Sequence, residues 1–345
     1  VTSVRPARPD ELPALVEHPG DAERNAATRA YLTQLLDSGC TRPEWCLVAE
    51  DGDGRLTGSV VLWTIPGHEV PLALVLFEAP EDAPETAAAL LDAAAVKARE
   101  LGATELEHVV DSPAQAPQFQ RNPEHRGELL RASGYAVIRD GRRFSLRVPT
   151  ATGTGGAGPE ATGTGDGGPE ATATGGAGPV SGAPDGLPAD DPRLTFRSLA
   201  ELGPEPFVAV LAELLADTAD ARLAADVRQH GARRAAELLF EETAELKHEP
   251  AWWELGYDAD GTVAVISLPA ENPSVPVIGF VGVAPAHRGK GYATSVVVRG
   301  TRVLAGAGAT EIRGDCDAAN VAMAKAFERA GYVNFADRLE FARAL

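Results

Sequence analysis

Five sequence pieces occur twice in this chain, in the same order and at similar spacing. SVRPARPDEL (3–12) answers to TFRSLAELG (195–203), a short strand running into a helix. WCLVAEDGDGRLTGSVVLW (45–63) answers to WELGYDADGTVAVISLP (253–269). Both are alternating apolar runs around an Asp-Gly turn, the pattern of a β-hairpin. PLALVLFEAPE (71–81) and PVIGFVGVAPA (276–286) read as buried strands ending in Ala-Pro. GATELEHVVD (102–111) pairs with GATEIRGDCD (308–317), and ELLRASGYAVI (128–138) with KAFERAGYVNF (325–335), a helix stopped by Gly before a strand. The pattern predicts a tandem duplication. Each copy should be an α/β layer, a central mixed β-sheet flanked by helices.

Between the copies, residues 151–180 are three versions of one ten-residue unit: ATGTGGAGPE, ATGTGDGGPE and ATATGGAGPV. The unit holds no large apolar side chain, so ordering it gains too little burial to offset its entropy. The sequence therefore predicts a degenerate first domain at 1–148, a disordered Gly/Pro/Thr-rich linker at 149–192, and a second domain at 193–345. A glycine-rich chain of that size has an end-to-end distance of roughly 35 Å. Such a tether is expected to leave the relative orientation of the domains free.

The net charge is −19, from 31 Lys+Arg against 50 Asp+Glu. That balance predicts no nucleic-acid partner, because such binding rests on phosphate neutralisation, and no attraction to an anionic membrane. Cys40, Cys46 and Cys316 are too few for a disulfide framework and lack zinc-ligand spacing, which predicts no metal. No apolar run approaches the roughly 20 residues of a membrane span, and VTSVRPARPDEL has no apolar signal-peptide core. The expectation is a cytoplasmic protein.

The copies differ most between the central strand and the following helix. The second has His287-Arg288-Gly289-Lys290-Gly291-Tyr292-Ala293, and the first has Glu81-Asp82-Ala83-Pro84-Glu85-Thr86. Gly289 and Gly291 allow φ > 0, so successive N–H groups can line one concavity at a helix N-terminus, where an anion is favoured. Arg288 and Lys290 add local positive charge. In the first copy three carboxylates take that place and Pro84 deletes a donor. Phosphate binding is thus predicted for the second copy alone.

VGVAPAHRGKGYA (281–293) resembles motif A of the GNAT acyl-coenzyme A N-acyltransferase superfamily, V-x-P-x-x-R-G-x-G-x-A. DAANVAMAKAFERAGY (317–332) resembles its motif B. The resemblance implies two tandem GNAT-like domains, the first degenerate. It implies that Arg288, Gly289, Lys290, Gly291, Tyr292 and Ala293 hold the coenzyme A pyrophosphate. Val281 and Val283 would border the pantetheine arm, and Asn320 would contact it near the sulfur. Phe327 stands where many members carry the Tyr that protonates the leaving thiolate; Leu130 takes that place in the first copy.

Transfer of an acyl group to an amine requires deprotonation of the amine, polarisation of the thioester carbonyl and release of the thiolate. Backbone N–H groups at the end of the strand at 277–283 could polarise the carbonyl. Candidate bases are Asp315, on the strand leading into motif B, and Glu254 on the hairpin, with His248 and Glu271 behind them. Asp258 shares the hairpin and the same candidacy, and Tyr257 is a candidate acid. Each carboxylate reads first as a pairing or solvated group and second as the base. Cys316 reads as a small buried hydrophobe. Trp252 and Trp253 read as core, or alternatively as a wall for a cationic acceptor. The helical segment 205–246 would roof the acceptor site.

The expected activity is acetyl transfer from acetyl-CoA to a small-molecule amine, with the active site in the second domain. The N-terminal domain is expected to pack against the C-terminal one, or to recognise the acceptor. Two alternatives stand beside this reading. One is a coenzyme A-binding regulatory module without turnover; the other is an acetyltransferase similar to mycothiol synthases, which also pair a degenerate half with an active one.

Overall fold

The computed structural model describes residues 2–18, 20–149, 186–272 and 275–345. Each half follows the predicted order. In the first, β1 (Ser3–Pro6) and α1 (Ala22–Asp37) lead to the hairpin β2 (Cys46–Glu50) and β3 (Leu56–Trp63). Then come β4 (Ala73–Glu78), α2 (Pro84–Glu100), β5 (Glu105–Ser112), α3 (Pro123–Ala132) and β6 (Ala136–Arg147). In the second, β7 (Thr195–Ser198) enters the helices α4 (Leu199–Leu202), α5 (Pro204–Leu215), α6 (Ala221–His230) and α7 (Ala232–Ala244). The hairpin β8 (Glu254–Tyr257) and β9 (Val263–Glu271) follows, then β10 (Pro276–Val283), α8 (Tyr292–Gly306), β11 (Glu311–Asp317), α9 (Val321–Arg329) and β12 (Val333–Ala344).

Local chemistry explains the boundaries. Both hairpins turn on the same device: Asp51 Oδ1 accepts from the amides of Asp53 and Arg55, and Asp258 Oδ1 from those of Asp260 and Thr262. Side-chain acceptors satisfy helix-start amides at Asp21 for α1, Asp220 for α6 and Asn320 for α9. Pro occupies the first turn of α2, α3 and α5, where its missing N–H costs nothing.

The two halves are not two sheets. All twelve named strands form one sheet in the order β1-β2-β3-β4-β5-β12-β6-β11-β10-β9-β8-β7. Each half lends its last strand to the other. β12 lies between β5 and β6, and β6 between β12 and β11. β6 runs antiparallel to β11 from Arg147↔Glu311 to Gly141↔Asp317, and β12 antiparallel to β5 from Ser112↔Asp337 to Glu105↔Ala344. The expectation of a freely oriented pair of domains is therefore corrected: a continuous ladder of backbone hydrogen bonds fixes the halves relative to each other.

The cores are exchanged too. Phe341 of β12 is fully buried in the first-half core with Leu90, Leu91, Leu106 and Leu130. Phe144 and Val148, at the end of the first half, are buried in the second-half core with Ile278, Val297, Ile312 and Phe327. A third cluster under α5 and α7 holds Phe207, Leu211 and Trp253 against β8 and β9. Gly282 lets α5 approach, since a Cβ there would lie 2.6 Å from Leu214.

The predicted linker falls largely at 150–185, outside the described residues, but its two ends meet. A Cβ built on Gly186 would lie 3.1 Å from Pro149, and the Val148 amide donates to Thr310 O at 2.9 Å. From there the chain follows α8. Asp190 pairs with Arg299 at 2.8 Å, Asp191 accepts from Ser295 at 2.6 Å, and Arg193 donates to Lys290 O at 3.2 Å. A segment whose ends already touch is dispensable for reach. Replacing residues 151–184 by three or four glycines should leave the fold intact and raise the melting temperature. The shorter loop removes closure entropy worth about 2 kcal/mol, roughly three halvings of length at ~0.6 kcal/mol each. Thermal unfolding checks this; a lower melting temperature would show that the segment contributes contacts.

Candidate active site

The parallel strands β10 and β11 pair only at Val277↔Arg313 and then diverge. A register shift between Ile278 and Phe280 bends β10 at that point. The divergence opens a cleft of about 1860 Å³ lined by both strands, by the start of α8 and α9, and by the α5–α7 roof. Residues of the segment 205–246 thus form one wall of this cleft.

At one end lies the turn into α8. Gly289 has φ +78° and Gly291 φ +87°, and neither would meet an atom within 4 Å if a Cβ were added. The backbone is held in the left-handed region around open space. The Thr294 amide donates to Gly291 O at 3.2 Å, and the amides at the very start of a helix, here Tyr292 and Ala293, favour an anion. Arg288 pairs with Asp217 at 2.7 Å on the surface. His287, buried beneath the turn, bonds Asp258 at 2.7 Å, and that contact holds the Asp258 carboxyl below its usual range. Asp258 is therefore a brace for the turn. Val281, Val283, Arg288, Gly289, Gly291, Tyr292, Ala293 and Asn320 all line the cleft; Lys290 does not, and its carbonyl is bonded to Arg193. Asn320 Oδ1 accepts from the Met323 amide at 3.1 Å, capping α9 and leaving its side-chain NH2 as the group able to donate into the cleft.

The first half diverges in the same way, β4 and β5 pairing only at Ala73↔Glu107, but its gap is filled. The loop after β5 folds back. Gln118 Oε1 accepts from the Leu76 amide at 3.1 Å, and Gln120 Nε2 lies 3.3 Å from His108 Nε2. Below it Glu78 pairs with Arg24 at 2.6 Å and Arg126 at 3.3 Å. Burial pushes His108 down to about 4, so it sits neutral in this plug. Residues 81–86 take no left-handed φ. The first half has lost both the turn and the space.

The candidate catalytic residues separate. Asp315 lines the cleft with its side chain half exposed, and Arg139 Nη2 bonds it at 3.2 Å. Glu254 is not in the cleft. It is buried in a two-pronged pair with Arg299, both contacts 2.6 Å, on the far side of the sheet. Tyr257 does not line the cleft either; it packs against the cluster under α5 and α7. His248 stacks on Trp253 at 4.1 Å, and Trp253 is fully buried with its Nε1–H bonded to Pro269 O. Neither Trp252 nor Trp253 lines the cleft; Trp253 is a core residue, and Trp252 is partly buried against two core clusters. Glu271 lines the cleft, tied to Lys247. Phe327 is buried against Phe144, stacked at 4.9 Å and 10°, and fills the space beside Gly314, where a Cβ would lie 2.7 Å from its ring. Burial pushes the Cys316 thiol up to about 12, which keeps it protonated and non-nucleophilic.

Sequence reasoning named none of the first-half residues that reach the cleft. Arg139 of β6 reaches Asp220 at 3.1 Å, Glu340 at 2.9 Å and Asp315 at 3.2 Å. Burial works against its charge, and Asp315, Asp220 and Glu340 together outweigh it and raise its pKa. Trp63, Ile65 and Pro66, at the turn between β3 and β4, line the same cleft. One signal was available: IRDGRRFSLR (138–147) carries four Arg in an otherwise acidic chain.

The second half thus combines a divergent β10–β11 pair with a turn at its mouth held open by Gly289 and Gly291. Residues 193–333 match the family model described as Acetyltransferase (GNAT) domain. No curated protein matches the chain. Among solved structures, a GCN5-related N-acetyltransferase from Sphaerobacter thermophilus is similar over 99% of this chain and 95% of its own, with TM-score 0.58 and 15% identity. A glucosamine N-acetyltransferase region of a fungal multi-domain GH3 β-N-acetylglucosaminidase is similar over 99% of this chain and 38% of its own, with TM-score 0.53 and 13% identity. A tandem GNAT protein from the clavulanic acid biosynthesis pathway covers 100% of this chain and 98% of its own, with TM-score 0.47 and 14% identity. Among the described residues no helix is long and apolar enough to cross a membrane, and no three His, Cys, Asp or Glu side chains are grouped to hold a metal.

Proposed function

We propose that the second half transfers an acetyl group from acetyl-CoA to the amine of a small molecule, in the cytoplasm, and that the first half binds no cofactor. The observation that carries this is the contrast between two related gaps in one sheet. One is open and leads to the turn at Gly289 and Gly291; the other is plugged and ends in Glu81, Asp82 and Pro84.

When bound, acetyl-CoA supplies the acyl group as a thioester. The turn from Arg288 to Ala293 takes the pyrophosphate on backbone N–H groups. Val281 and Val283 border the pantetheine arm, and the Asn320 NH2 group is placed to donate to it. The first half shows what the strand amide does with a carbonyl. Leu76 aligns with Val281 when the two Ala-Pro ends are matched, and its N–H donates to the Gln118 side-chain carbonyl. We assign the Val281 N–H the same act on the thioester carbonyl, where it stabilises the charge that develops on oxygen. Asp315 is placed to accept the proton of the incoming ammonium, directly or through water. No side-chain acid is assigned. Phe327 has no hydroxyl and the Tyr332 hydroxyl is engaged with Thr301 at 2.7 Å. A thiol of ordinary pKa near 8.5 makes a weakly basic leaving group that water can protonate.

Release of free thiol from acetyl-CoA in the presence of a panel of primary amines tests the reading. Amine-dependent release is expected, abolished or slowed at least tenfold by Asp315→Asn. Tight coenzyme A binding with no release for any amine would replace catalysis by a regulatory role.

A further inference from the structure

The cleft of the second half is walled partly by the first. Arg139 arrives on the exchanged strand β6 with its side chain 12% exposed, and holds carboxylates from three elements: Asp220 at the start of α6, Asp315 on β11 and Glu340 on β12. Arg222 of α6 extends the cluster to Glu340 at 3.7 Å and to Glu107 of the first half at 3.5 Å. Opposed in character is the turn after β3. Ile65 is 39% exposed there although apolar, and it lines the cleft together with Trp63 and Pro66. An apolar face left in contact with solvent in a cleft is a common mark of ligand contact. Arg139 and the turn at Trp63–Pro66 both lie outside the matched region at 193–333.

We propose that the first half is the acceptor-recognition element of the second half's active site, Arg139 acting as a positioning residue and Ile65 as a specificity-determining one, for a primary amine carried on an apolar body. The inference rests on the acetyl-transfer reading given above. Arg139 touches no reacting atom. It fixes the direction of Asp315, the carboxylate that meets the ammonium, and offsets part of the negative charge of Asp220 and Glu340 beside it. The wall at Trp63–Pro66 receives the apolar part of the same molecule. An ion-paired Arg cannot be exchanged for a neutral group without leaving its carboxylates to repel one another and turn away.

The test uses the full chain with acetyl-CoA and two probe amines, tyramine and ethanolamine. Arg139→Gln should raise the KM for tyramine at least tenfold while the coenzyme A affinity, read by calorimetry, stays within twofold. Arg139→Lys should recover a large part of that loss, because a cation is restored in the same place. Ile65→Ser should lower the selectivity for tyramine over ethanolamine about tenfold. Parallel loss of coenzyme A affinity, melting temperature and activity in Arg139→Gln, with no rescue by Lys, would overturn the positioning role and leave a structural one. Unchanged selectivity in Ile65→Ser would overturn the apolar wall. Wild-type protein that transfers to neither probe nor to any amine of the panel would overturn the acetyl-transfer reading itself, and this inference with it.

Discussion

Residues 186–345 produced without the first 149 should be insoluble or unfolded, and coproduction with residues 1–149 as a separate chain should restore a one-to-one complex. The expectation follows from the exchange of β6 and β12. Without β6, β11 and β12 lose a neighbour that pairs from Arg147↔Glu311 to Gly141↔Asp317 and along Val333 to Ala342. The ladder groups thus freed lie in the middle of the sheet, where an unpaired edge invites association. The core loses Phe144 and Val148, both buried, and Phe327 loses the ring stacked on it. Removing the Phe side chain alone is worth about 3–5 kcal/mol, a large share of a typical domain's 5–15 kcal/mol. Size-exclusion chromatography and amide circular dichroism decide the matter. A monomeric 186–345 that unfolds cooperatively and binds coenzyme A at full strength would show that β6 is an accessory.

Grafting the first half's turn chemistry onto the second should abolish cofactor binding. In the variant Arg288→Glu, Gly289→Pro, Gly291→Glu, coenzyme A affinity should fall at least a hundredfold by calorimetry. Proline locks φ near −65°, whereas residue 289 is held at +78° and residue 291 at +87°. The graft therefore turns the amides out of the concavity as well as placing two carboxylates where phosphate would sit. Each effect is of a size to matter: a non-glycine residue forced into this region costs of order 1–3 kcal/mol, and like charges repel further. Because backbone strain could lower stability, the charge-only variant Arg288→Glu separates the causes. Arg288 is surface-exposed with Asp217 as its partner, so that variant should fold normally and still lose about tenfold in affinity. Affinity unchanged in both would remove the turn from the site.

Much of this was legible in the sequence, and what was missed has a common cause. The element order, the hairpins on Asp51 and Asp258, the opened turn at Gly289–Gly291 and its acidic counterpart are local. Each is written in consecutive residues, where turn chemistry and period decide the outcome. The positions of Glu254 and Tyr257 are not local. Glu254 was placed by the hairpin strand it occupies, but which face of the sheet it serves depends on Arg299 of α8, far along the chain. The exchange of β6 and β12 left no mark on either strand, since a strand reads the same beside any partner of suitable register. The cluster around Arg139 follows from that exchange and could not be seen before it. The one trace was the arginine-rich run at 138–147, which an acidic chain had reason to place against carboxylates.

The exchange also sets an order of events while the chain is being made. Residues up to Pro149 leave the ribosome with β5 and β6 complete, yet the strand that belongs between them, β12, is made only after all eleven other named strands. The first half must wait, its central ladder open, through the whole production of the second. Pairings of such long sequence separation are slow to form and leave aggregation-prone edges exposed meanwhile. Closing the middle of the sheet must therefore follow the synthesis of β12, and it completes both halves at once: a chain truncated before Val333 should mature neither the first copy nor the second.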